Sequence, residues 1–82
     1  MSAMIDTAPL TRRYRFNEWL SSYSESERKK KVREMRAATG VSRATMRNWL
    51  DLRTDASFDV PYSAVLRICQ VLGRDVKDVA TA

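Results

Sequence analysis

The sequence predicts an all-α fold, one small domain of about five helices, on three observations. Apolar residues recur at helical spacing along most of the chain, as in Phe16, Trp19, Leu20 and Tyr23. Start and stop residues punctuate those stripes: Ser24, Ser42 and Asp75 can cap helices, while Gly40 and Gly73 can end them. At 82 residues there is room for four or five short helices around one modest core, and none for a second domain or an elaborate cleft.

Residues 1–9 carry no periodic pattern and read as a flexible N-terminal arm, leaving 10–82 as the domain. The spacing predicts helices over about 10–23, 25–39, 43–53, 61–72 and 76–80. In the first, Phe16, Trp19, Leu20 and Tyr23 form an inward aromatic stripe with Trp19 buried. Arg12, Arg13 and Arg15 fall near its start, where they oppose the helix dipole; they are either a solvated cluster or contacts to phosphate. Ser24 and Glu27 make a capping box for the second helix. That helix turns Val32, Met35 and Thr39 inward and Lys29, Lys30, Arg33 and Ala37 outward.

Gly40-Val41-Ser42 is a tight connection, with Gly40 in a left-handed stop and Ser42 capping the helix that follows. At about 100° per residue, Met46, Trp49 and Leu50 fall on the core side of this third helix, and both tryptophans are expected to be largely buried. Arg43, Ala44, Arg47, Asn48 and Asp51 share the other side, where Asp51 sits one turn after Arg47 and can pair with it. Residues 53–59 are a turn-rich loop that Phe58 is expected to pin to the core. Pro61 suits a first helical turn, Val65, Ile68, Cys69 and Leu72 line the fourth helix inward, and Gly73 stops it. Asp75 caps the last helix, which turns Val76 and Val79 inward.

Fifteen Lys and Arg against ten Asp and Glu give a net charge of +5, and nine of the fifteen lie between Arg28 and Arg53. That clustering favours a polyanionic partner more than the net charge does. With no histidine and Cys69 the single cysteine, no disulfide and no zinc-ligand spacing can be assembled, and a nucleophilic Cys69 would lack a base. No cofactor, metal or small-molecule ligand is expected, nor an enzyme. No membrane span or signal-peptide run is present, so the cytoplasm is the expected compartment.

The outer side of the third helix carries the residue types that read base edges. Arginine forks onto guanine, asparagine pairs with adenine, and a small residue lets the helix approach the groove floor. Arg43, Ala44, Arg47 and Asn48 are therefore the candidate base readers, against the plainer reading of an amphipathic helix with a solvated face. Lys29, Lys30 and Arg33, with Ser42, Thr45 and Arg53, are the candidate phosphate contacts, against the plainer reading of a solvated basic face.

Gly40 to Trp49, with the tryptophan seven residues after Ser42, and the separate ending Leu72-Gly73-Arg74-Asp75-Val76, together resemble the lambda-repressor-like helix-turn-helix family, of Cro and repressor type. The resemblance covers about residues 10–80. It implies that residues matching Arg43, Ala44, Arg47 and Asn48 face the major groove, that Thr45 and the start of the second helix touch phosphate, and that a homodimer reads paired half-sites. The expected function is sequence-specific binding of double-stranded DNA by a small bacterial or phage transcriptional regulator. The alternative is a helical interaction module, of antitoxin or phage accessory type, that offers its basic face to an acidic protein.

Overall fold

The computed structural model describes residues 12–80, so the arm over 1–9 lies outside the described residues. Among the described residues four α-helices follow one another, α1 (Phe16–Leu20), α2 (Glu25–Thr39), α3 (Arg43–Leu50) and α4 (Tyr62–Leu72), before a 3-10 turn at Val76–Asp78. The expected fifth helix over 76–80 is thus a single 3-10 turn, capped by Asp75 through the Lys77 N–H at 3.0 Å.

The first helix is much shorter than the predicted 10–23. Residues 12–15 are not helical, and antiparallel bridges pair Arg12 with Arg53 and Tyr14 with Ala80. The Arg13 N–H donates to the Leu52 carbonyl and the Arg15 N–H to that of Val79, each at 2.8 Å. Backbone donors committed to those two distant segments cannot also serve a helix. At the other end, the hydroxyls of Ser21 and Ser22 bond back to the carbonyls of Glu18 and Trp19, a local competition that closes the helix. The aromatic stripe is as expected: Phe16, Trp19 and Leu20 are buried and Tyr23 packs on them.

Ser24 restarts the chain as a helix cap, its Oγ accepting the Glu27 N–H. Met35 is wholly buried and Val32 and Thr39 half-buried, while Lys29, Lys30, Arg33 and Ala37 are exposed as predicted. The helix ends at Gly40, whose φ of 73° is the left-handed stop that a side chain would strain. Its last carbonyls are covered from elsewhere: the Thr39 hydroxyl donates to Met35 and the Arg67 guanidinium, from α4, to Ala38.

The inward residues of α4 include Val65, Ile68, Cys69 and Leu72, all buried, and α2 packs against this helix. Pro61 is the residue before the first helical position, not inside the turn. Gly73, at φ 66°, closes α4 in a Schellman pattern: its own N–H reaches Gln70 while Arg74 N–H reaches Cys69. Burial raises the Cys69 thiol above its ordinary pKa, with Asp75 adding to the effect, as befits a small core residue.

Phe16, Leu20, Met35, Met46 and Ile68, drawn from all four helices, make the centre of the core, which Leu52, Val60 and Val79 extend. Two expectations fail at its edge. Phe58 is 54% exposed and does not pin the loop; Leu52 and Val60, at the two ends of the loop, are the buried residues. Trp49 is half-buried, packed on the core at the last turn of α3, whereas Trp19 is 6% exposed.

Candidate nucleic-acid interface

The connection Gly40-Val41-Ser42 delivers α3 in a fixed orientation. Ser42 is extended (ψ 166°), its Oγ accepts the Thr45 N–H at 3.1 Å, and its hydroxyl donates to Thr45 Oγ1. Met46 then anchors one side of the helix in the core at 1% exposure, with Trp49 and Leu50 half-buried beside it. Arg43, Ala44, Arg47 and Asn48 are all exposed: Ala44 and Asn48 turn away from Met46, as 100° per residue requires, while Arg43 and Arg47 flank it at the edge toward α2. The helix ends at Leu50 rather than 53, because Asp51 closes the last turn and Leu52 turns into the core.

Arg47 is available for a ligand. Asp51, which could have paired with it, accepts Arg12 Nε at 3.1 Å and lies 3.6 Å from Arg53. Among the described residues no ion pair or side-chain hydrogen bond engages Arg43, Arg47 or Asn48. Arg53, a candidate phosphate contact, is half-buried on the far flank of α3, bridged to Arg12 through the backbone and drawn toward Asp51. It shares a recess of about 250 Å³ there with Asn48, Asp51 and Phe58.

On the near flank, α2 and α3 enclose a groove of about 510 Å³. Lys29, Arg33, Arg36, Arg43 and Arg47 line it together with Val32, Met46 and Leu50, and among the described residues no carboxylate does. Two candidate phosphate contacts and two candidate base readers thus share one basic channel. Lys30 is exposed outside that lining, Thr45 is half-buried, and Ser42 is exposed at the start of α3. Lys29 lies 3.8 Å from Glu25, a solvated i,i+4 pair of small energetic weight. The sequence reading did not count Arg36, although its position three residues after Arg33 and seven after Lys29 is a signal for the same helix face.

The arginines before α1 each have partners within the fold. Arg13 donates to the carbonyls of Thr54, Ala56 and Phe58 at 2.9, 3.2 and 3.2 Å, and sits 3.3 Å from Asp59. Arg12 holds Asp51 and Arg15 lies 3.3 Å from Glu18. Tyr14 donates its hydroxyl to Asp59, whose carboxyl the bond holds below its ordinary range with help from Val60 N–H and Arg13. Burial, and then the same carboxylate, pushes the Tyr14 phenol up to about 12. These contacts fix the loop that follows α3, and so the far flank of the exposed ridge.

No family model, curated protein or solved structure matches this chain. The functional argument therefore rests on the geometry. Among the described residues no helix is long and apolar enough to cross a membrane, and no cluster of three His, Cys, Asp or Glu side chains is placed to hold a metal ion.

Proposed function

We propose that the chain is a double-stranded DNA-binding domain of lambda-repressor-like helix-turn-helix type, with α2 and α3 as the motif and α3 lying in the major groove. One observation carries the reading: Arg43, Ala44, Arg47 and Asn48 stand exposed along a helix that buried Met46 anchors in the core. An anchored helix holds its forked donors in one register, which base discrimination requires. The basic groove alongside supplies Lys29 and Arg33 for phosphate, contacts that position the domain without reading sequence.

In this reading the domain acts as a small bacterial or phage transcriptional regulator in the cytoplasm, by occupying its site, and homodimers would read paired half-sites. It assigns the chain no catalysis, cofactor or metal. Selection of bound duplexes from a random library is the test. An enriched sequence motif, bound tightly and with steep salt dependence, supports the reading; uniform recovery of all sequences contradicts it.

A further inference from the structure

The basic groove is built for more than phosphate. Each helix lines it with residues at i, i+3, i+4 and i+7, namely Lys29, Val32, Arg33 and Arg36 from α2 and Arg43, Met46, Arg47 and Leu50 from α3. Both stripes run about 10 Å. Val32, Met46 and Leu50 give the channel an apolar part, and five cations surround it. A phosphate ridge satisfies cations but gains nothing from apolar side chains, which prefer a partner that removes them from water.

Arg36 adds a second, independent sign. It is half-buried, and its Nε is shielded from solvent with no hydrogen-bond partner among the described residues. A guanidinium N–H withdrawn from water without an acceptor carries a desolvation cost that an acidic group in the groove would offset. A carboxylate on a narrow chain can enter between the helices, where a whole duplex cannot.

We propose that this groove docks an amphipathic acidic helix of a partner protein. Its apolar anchors, at helical spacing, lie on Val32, Met46 and Leu50, and its flanking Glu and Asp take the guanidinium forks of Arg33, Arg36, Arg43 and Arg47. A second copy of this chain is a poor occupant by charge. Neither α3 nor α4 contains an acidic residue, and α2 carries six basic residues against three acidic ones. Arg43 and Arg47 belong to both the groove and the exposed ridge, so the acidic helix and a duplex exclude one another. That last consequence rests on the DNA-binding reading; docking itself does not.

The probe is a fluorescein-labelled peptide of about fifteen residues of Ala and Glu, carrying Leu at i, i+3, i+4 and i+7, long enough for marginal helicity. Anisotropy is expected to show binding that weakens at least about tenfold when the leucines become serines at unchanged charge, the least that unburying one leucine implies. Arg36→Met, checked for folding by circular dichroism, should weaken it as well. Asn48→Ala, on the other flank, should leave peptide binding unchanged. Unlabelled peptide should also displace a selected duplex from the unaltered domain. Equal binding of the Leu and Ser peptides, which requires no altered protein, would overturn the proposal and reduce the groove to a phosphate rim. Peptide binding with no selected duplex would leave docking intact and remove the DNA reading.

Discussion

Replacing Arg13 by Met should cost the domain about 2–3 kcal/mol, because the side chain acts as a clamp on the 53–59 loop. The guanidinium makes three bonds to loop carbonyls, of which the one to Ala56 is part-buried and those to Thr54 and Phe58 are exposed. Screened by solvent, the donor contributes about 1 kcal/mol in the part-buried case and roughly half that in each exposed one. The pair with Asp59, whose own side chain is 56% exposed, adds less than about 1 kcal/mol. For a domain of this size the sum corresponds to a fall in melting temperature of roughly 10–20 °C. Thermal unfolding followed by circular dichroism measures it, with Arg12→Ala as the control, since that exposed pair should shift the midpoint by only a few degrees. A variant that melts with the unaltered protein yet binds duplex with a shallower salt slope would refute the clamp and make Arg13 a phosphate contact.

Three further outcomes follow from the same geometry. Gly40→Ala meets no atom within 4 Å, so its cost is the left-handed backbone alone, about 1 kcal/mol in a denaturant titration. Tyr14→Phe should flatten alkaline denaturation: a phenol raised from 10.0 to about 12 in the fold contributes stability that is complete below pH 10 and lost as pH rises toward 12. An unfolding profile between those pH values that Tyr14→Phe leaves unchanged would show that burial and the Asp59 carboxylate do not raise the phenol in solution. Lys29→Ala and Arg33→Ala should each make the slope of log affinity against log salt shallower by roughly 0.9, equally for all duplexes; unchanged slopes would leave a solvated face.

The parts of the fold legible in the sequence are those fixed by neighbours a few residues away. Ser24, Ser42, Gly40 and Gly73 each do locally what their chemistry suggests, and the inward stripes of α2 and α4 follow from 3.6-residue periodicity. Residues 12–15 were illegible for the opposite reason. Arginine is a good helix former and Phe16 continues an apolar stripe, yet Arg12 and Arg13 find their partners 39 to 45 residues along the chain. Asp51 shows the same limit: the sequence offers Arg47 one turn away as a partner, and Arg12 from another segment takes the place. At the site, the exposed ridge of α3 could be read from rotation per residue alone. The basic groove could not, because it exists only where α2 and α3 lie side by side, and Arg36 acquires its place from that juxtaposition.

The central claim is that α3 reads sequence, and the most direct test is the ratio of affinity for a selected duplex to affinity for random DNA. Arg43→Ala, Arg47→Ala and Asn48→Ala remove exposed side chains, so the fold should survive each. Each lost bidentate contact should weaken the selected duplex by about 1–3 kcal/mol, about 5- to 150-fold, with a much smaller effect on random DNA. The expected result is a ratio that collapses toward one in folded variants. Variants at Arg43 and Asn48 that keep the full ratio would contradict the account, because a helix whose donors can be deleted without loss of discrimination is not the reader.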